Sequence, residues 1–338
     1  MLKKFVGELV VFGLTMLICA PVFSQNSFEG TAWVNSYGYS GCVQLSNNTT
    51  IVILEPNCGG RIIEYSLNGK NSLYVDPEQN GWTYTPGKKG IGPCAGRCDI
   101  GPEKLVPRRP NLWYGKWTAE IIGPRTARLT SVEDKSTGVQ LIREFKLDKN
   151  SSHLSFTQTI KNISNSTKQY NHWSRTFAEG GGICIVPLSQ GSRFPKGYVV
   201  YEPATSPKYI NFRPEEHPNA KVKNDCLIIS GPTPQRKYGI DSYTGWFGYI
   251  SPSNLLFVKR FPVYPDRVYG EIAAYTISIW YYEDIRSELE PIGPRETIEP
   301  GKSASFTEEW WLFPYDYPEE SKEVDLKSFK EFVGRNTR

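Results

Sequence analysis

The sequence predicts an all-β fold: a large antiparallel β-sandwich closed by one short C-terminal helix. Three observations predict it. Short apolar or alternating runs, rich in β-branched and aromatic residues, recur along most of the chain. Turn-forming residues punctuate them, as at Asn68-Gly69, Gly123-Pro124 and Asp148-Lys149-Asn150. Only residues 324–335 place apolar side chains at helical spacing, at positions 324, 326, 329, 332 and 333.

In chain order, strands are predicted at TTIVILEP (49–56), RIIEYSLNG (61–69), WTAEIIGP (117–124), ARLTSVED (127–134), VQLIREFKLD (139–148) and HLSFTQTIKNIS (153–164). The second half continues with YGIDSYTGWFGYI (238–250), NLLFVKRFPV (254–263), YTISIWYYE (275–283) and SASFTEEWWLF (303–313). Within 153–164, Leu154, Phe156 and Ile160 share a face with the polar Gln158 and Asn162. No Gly/Ser linker, composition shift or fixed-period repeat divides the chain, so residues 25–338 read as one domain.

Residues 1–24 have the parts of a signal peptide: Lys3 and Lys4, then a short apolar stretch from Leu9 to Ala20, with a cleavage site after Ser24. The expected location is periplasmic or secreted. Lipid attachment at Cys19 is disfavoured by the bulky Ile18 before it. No later apolar run is long enough to span a bilayer. The net charge is +4 without a basic run, which argues against a nucleic-acid partner. Aromatic residues make up 13% of the chain, with 9 Trp and 20 Tyr; such rings fill cores and also stack on sugar faces.

Six cysteines follow the predicted cleavage site, at positions 42, 58, 94, 98, 184 and 226. An exported chain permits disulfides, and six cysteines allow fifteen pairings among which the sequence does not choose. Cys94 and Cys98 would close a small loop or supply half of a metal site, but no second Cys/His pair has ligand spacing, so neither metal nor cofactor is expected. Asn-X-Ser/Thr triplets at Asn47, Asn48, Asn150, Asn162 and Asn165 read as turn chemistry in a chain with a bacterial leader.

Three segments, in order, resemble the galactose mutarotase-like superfamily of sugar epimerases. They are PNCGGRII (56–63) followed by SLNGK, the run from Leu154 to Phe177 containing Tyr170-Asn171-His172-Trp173, and SELEPIGPRETIEPGKSASFTEEWWL (287–312). More narrowly, CDIGPE (98–103), NHWSRTFAEGGG (171–182) and ELEPIGP (288–294) are similar to an exported family within that superfamily, found in bacteria that degrade polysaccharides. The resemblance implies a galactose mutarotase-like β-supersandwich and a carbohydrate substrate. It implies that His172 is the general acid and Glu290 the base, with Glu288 on the same strand face. The second histidine that mutarotases use for sugar binding has no clear counterpart; His153 lies near a turn.

The chemistry fits those residue types. Opening a pyranose ring requires a base at the anomeric hydroxyl and an acid at the ring oxygen, roles suited to a carboxylate and a histidine. From periodicity alone, His172 is an ordinary polar residue of a β segment. Arg61 and Arg175 lie inside the motif segments, and a guanidinium fork matches a carboxylate or sulfate, so an acidic sugar is an expected partner. Trp173, Tyr170 and Glu103 complete the expected binding set. Gly180-Gly181-Gly182 marks a turn and not a phosphate loop, because no GK[ST] follows. Asp99 and Glu103 offer paired carboxylates for hydrolysis, at a separation the sequence does not fix. Two further readings stay open: a lyase or dehydratase acting on uronate-containing oligosaccharides, and a glycan-binding protein without turnover.

Overall fold

The computed structural model describes residues 28–203, 209–233, 237–282, 285–319 and 323–337; the expected leader, 1–24, lies outside them. Six strands come first: β1 (Thr31–Ser36), β2 (Tyr39–Ser46), β3 (Thr50–Glu55), β4 (Arg61–Leu67), β5 (Lys70–Asn71) and β6 (Gly96–Gly101). A one-turn helix, α1 (Pro110–Trp113), precedes β7 (Thr118–Gly123), β8 (Thr126–Thr130), β9 (Val139–Leu147), β10 (Leu154–Asn162), β11 (Lys168–Glu179) and β12 (Ile183–Pro187). Then come β13 (Val199–Glu202), β14 (Tyr209–Asn211), β15 (Ala220–Lys223), β16 (Cys226–Ser230), β17 (Lys237–Ile240), β18 (Trp246–Ser251) and β19 (Leu255–Arg260). The chain closes with β20 (Ile277–Tyr282), β21 (Arg286–Pro291), β22 (Glu296–Ile298), β23 (Ser303–Pro314) and the helix α2 (Leu326–Asn336).

Among the described residues these strands form two antiparallel sheets. The larger runs β1-β2-β3-β4-β6-β11-β21-β20-β17-β13-β14, with β5 beside β4 and β22 beside β11. The other runs β15-β16-β12-β18-β19-β23-β10-β9-β8-β7. Their facing sides bury the main apolar core, which includes Ile62, Phe145, Phe156, Leu289 and Trp310. Helix α2, capped by the Asp325 carboxylate accepting from the Lys327 and Ser328 amides, packs Leu326, Phe329 and Val333 against the second sheet. A third apolar cluster, with Trp173, Phe194, Tyr275 and Ile292, lies at the large sheet.

The local sequence explains these choices. Asn68 and Gly69 both take positive φ, 50° and 79°, as a two-residue hairpin turn requires. The predicted continuous strand 238–250 is instead two strands, β17 and β18, in different sheets. Polar residues make the crossover: buried Ser242 donates to the Pro187 carbonyl, and the Asp241 carboxylate accepts from Ser192 and Arg193. On β10 the polar positions of the apolar face are satisfied inside the core. Gln158 donates to the Asp99 carbonyl and accepts from Arg143, while Asn162 donates to the Ser166 and Ile298 carbonyls. Arg143 also reaches across the interior to the carbonyls of Gly59 and Cys98, its guanidinium 4.2 Å from the Trp117 ring centre. Buried polar groups of this kind fix one arrangement because leaving any of them unpaired is costly. Here they tie down β6, which carries Arg97 and Asp99. The six cysteines among the described residues are buried free thiols, so the Cys94–Cys98 loop is not closed by a bond.

Candidate functional site

Alternation along β11 decides which side chains meet. Its inner face carries His172, Ser174 and Thr176 toward the second sheet. There the buried Lys259 ammonium on β19 donates to Ser174 (2.9 Å), Thr176 (2.7 Å) and the Leu289 carbonyl (3.2 Å). Its outer face carries Trp173, Arg175 and Phe177. Register places Arg97 and Asp99 of β6 beside Arg175 and Trp173, and Glu288 of β21 beside Phe177. Glu290, two residues on, shares that face, and Lys237 reaches it from β17.

The result is a dense charge cluster centred on Arg175. Its guanidinium lies within 4 Å of four carboxylates: Glu288 at 3.2 Å, Glu290 at 3.4 Å, Glu103 at 3.5 Å and Asp99 at 3.9 Å. Arg97 donates to Glu288 at 2.8 Å, Arg109 grips Asp99 with two nitrogens, and Lys237 stands 3.9 Å from Glu290. Four acids thus face four bases. Burial alone would push the Glu288 carboxyl up, but Arg175 and Arg97 outweigh it and hold it well below the usual range. Glu290 goes the other way. Burial and the Glu288 charge push it up, and Lys237 and Arg175 only partly offset them. Two carboxyls on one strand face are therefore driven apart, an arrangement characteristic of acid–base sites.

Above the cluster lies a cleft of about 290 Å³, lined by Asp99, Glu103, Arg108, Arg109, Trp113 and Arg175. The Trp113 ring of α1 covers the guanidinium groups of Arg97 (4.5 Å) and Arg175 (5.2 Å). Arg175 is the link between cleft and carboxylates: it lines the opening and contacts Glu290, which is itself fully buried. To one side Tyr201 and Tyr275 share a 2.5 Å phenol hydrogen bond, and the Glu103 amide donates to Glu271. Among the described residues, no group of three or more His, Cys, Asp or Glu side chains is arranged to hold a metal ion.

Glu290, Glu288, Arg175 and Glu103 are thus brought together, and Trp173 lies beneath them. Trp173 is fully buried, 4.9 Å from Arg175 and 5.2 Å from Lys237, so it supports two cations and offers no free face to a sugar. Three expected site residues fall elsewhere. His172 has the wrong parity on β11: it points into the core, stacks on Phe306 at 5.7 Å, and faces away from Glu290. Burial lowers its pKa to about 4, only partly offset by the Ala304 and Gln158 backbone beside the ring, so the core favours its neutral form. Arg61 is buried among Glu55, Tyr39, Gln79 and the Cys94 carbonyl, none of which lines the cleft. Tyr170 donates to the Thr137 carbonyl, also outside the cleft.

Lys237 carries no sequence signal, because it opens a four-residue strand with no motif around it. Asp99 is a candidate from the sequence; Arg97, Arg109 and Trp113 join it only through the register of β6 and the fold of α1.

The placement of His172 has a testable consequence. Replacing it with leucine, of similar volume, is expected to leave any cleft activity within a few-fold of the native value. Stability should rise in mild acid. The native imidazole is neutral when folded but takes up a proton when unfolded, so it withdraws stability as pH falls from 6.5 toward 4. Urea denaturation of both proteins at pH 7 and pH 5 checks this; equal responses to pH would contradict it.

No protein-family model and no curated protein matches the sequence. Solved structures do match in fold. A galactose mutarotase-like protein from Lactobacillus casei superposes with a TM-score of 0.55 at 11% identity, over 81% of this chain and 100% of its own. A candidate aldose 1-epimerase from Escherichia coli K12 superposes with a TM-score of 0.55 at 13% identity, over 81% of this chain and 98% of its own. One from Klebsiella pneumoniae gives 0.54 at 11% identity, over 90% of this chain and 86% of its own. With two antiparallel sheets, a short terminal helix and these structural neighbours, the chain has the galactose mutarotase-like fold.

Proposed function

We propose that the protein binds an acidic carbohydrate in the cleft above β6, β11 and β21 and acts on it by acid–base chemistry. In this reading Glu290 carries the proton from behind Arg175, Glu103 is a carboxylate at the cleft itself, and Arg175 holds the carboxylate or sulfate of the sugar. One observation carries the reading: Glu288 and Glu290 face the same arginine from one strand, with their proton affinities pushed in opposite directions. A carboxyl group whose proton affinity is raised toward neutrality by its surroundings suits the role of acid at a ring oxygen. The substrate anion has a mechanical part as well. Arg175 spans the cleft and Glu290, so an anion that draws the guanidinium outward uncovers the buried carboxyl behind it. The fold is shared with candidate aldose 1-epimerases, which supports the reading, but fold alone does not assign a reaction.

A second reading is favoured by a different observation. Glu290 is fully buried, as a purely structural counter-charge would be. On that reading the cleft captures acidic glycans without turnover.

NMR in D₂O with neutral sugars, uronates and acidic oligosaccharides separates the two. Faster α/β exchange is expected for an epimerase. Vinyl signals, or deuterium entering beside a carboxylate, would instead mean elimination, in which the arginines stabilise charge developing on a uronate. Line broadening without chemical change would assign binding alone, and no response to any acidic sugar would overturn both readings.

A further inference from the structure

A row of cations interleaved with aromatic rings crosses the outer face of the large sheet. Lys237 and Arg175 flank Trp173, at 5.2 and 4.9 Å. Arg175 and Arg97 flank Trp113, at 5.2 and 4.5 Å. Arg97 and Arg286 flank Phe177, at 4.5 and 5.0 Å, and Arg286 also lies 4.9 Å from Tyr282 and 5.5 Å from Tyr74.

Three members of the row are neutralised in place: Lys237 by Glu290, Arg175 by four carboxylates, and Arg97 by Glu288. Arg286, at the end, makes no ion pair among the described residues. Its buried Nε has no hydrogen-bond partner, and the residue as a whole is only half-buried. Glu179 stands opposite in register on β11 but is exposed and makes no ion pair with it. Three rings thus hold a guanidinium in one place while its hydrogen-bonding fork stays unused. Such preorganisation favours a planar anion, because little side-chain freedom is lost on binding.

Arg286, Glu288 and Glu290 alternate on one face of β21, which places Arg286 about 13 Å along the sheet from Glu290. We propose that Arg286 is the anchor of a second subsite, taking a carboxylate or sulfate on another residue of the same glycan chain. The inference rests on the acidic-carbohydrate reading above and deepens it: the ligand is an acidic oligosaccharide, not an acidic monosaccharide.

The test is calorimetric titration of the native protein with galacturonate and its di-, tri- and tetrasaccharides, and with a sulfated oligosaccharide series of the same lengths. Affinity is expected to step up by about tenfold once the chain reaches Arg286. Which series shows the step identifies the anion. Arg286→Gln should remove the step and leave the affinity for the shortest ligand unchanged. Arg286→Lys keeps the charge but not the fork, and should reduce the step; it serves if the glutamine variant fails to fold, as thermal melts would show. Affinity independent of length, or a step that survives in both variants, overturns the second subsite while the acidic-carbohydrate reading stands. If no acidic ligand in either series binds the native protein, that reading fails and the subsite with it.

Discussion

Replacing Arg175 with alanine is expected to destabilise the protein by about 3–5 kcal/mol and to abolish binding of any acidic ligand in the cleft. The stability loss follows from what stays behind. Glu288 and Glu290 are fully buried and Asp99 nearly so, and each has been placed there against a guanidinium. Removing the arginine leaves the Glu288 and Asp99 charges with Arg97, Arg109 and Lys237 alone, in surroundings where an unpaired charge is expensive. Part of the cost is relieved by protonation, so the deficit at pH 7 should shrink at pH 5. Arg128 is the built-in control. It also pairs with two carboxylates, Glu120 and Glu144, but on the surface, with 39% of its side chain exposed. Arg128→Ala should cost less than about 1 kcal/mol. Urea denaturation midpoints of the two variants make the comparison; equal losses would mean that the Arg175 network contributes no more than a surface pair.

The same contrast between covered and exposed faces explains what the sequence reveals. β9 and β10 alternate buried with partly exposed positions, so their strands and their inward residues are legible from period two. Even their polar inward residues, Gln158 and Asn162, declare themselves by parity. β11 is different. From Tyr170 to Ala178 all positions but Arg175 are buried, because the second sheet covers one face while α1 and its loop approach the other. With both faces covered, polarity no longer says which way a side chain points, and His172 and Trp173 are equally plausible in the cleft. Sequence similarity around His172 suggests a proton donor; the register of β11 turns it into the core. The Glu288–Glu290 pair is legible because two carboxylates spaced by two must share a face. Of its partners, Arg175 is legible within a motif segment, but Arg97 and Lys237 come from other strands joined to it only by sheet pairing. Arg61 shows the converse: it lies within a motif, yet its partners Glu55 and Tyr39 belong to the neighbouring N-terminal strands.

Glutamine substitutions at Glu288 and Glu290 should give opposite results, although the residues lie two apart on one face. Glu288→Gln removes the carboxylate that Arg97 and Arg175 both contact, at 2.8 and 3.2 Å, and is expected to cost about 3–5 kcal/mol at pH 7. Native Glu288 has its pKa lowered on folding. Its contribution is therefore present above the unfolded carboxylate range and is lost as pH falls through the lower folded value. The penalty of the substitution should accordingly fade in strong acid. Glu290 is raised on folding. Its contribution is full in acid, below the unfolded carboxylate pKa, and is withdrawn as pH rises through the higher folded value. A neutral glutamine imitates the protonated form, so Glu290→Gln should be close to native in stability at mildly acidic pH and relatively more stable as the solution becomes alkaline. Function should follow the reverse order of tolerance. If Glu290 carries the proton, its glutamine variant folds and binds but loses turnover by about 10²–10⁴-fold. Stability curves of both variants from pH 4 to pH 9, read beside the NMR turnover assay, decide the matter. A Glu290→Gln protein that is as active as native would remove Glu290 from the chemistry and leave the pair as a structural counterweight to Arg175.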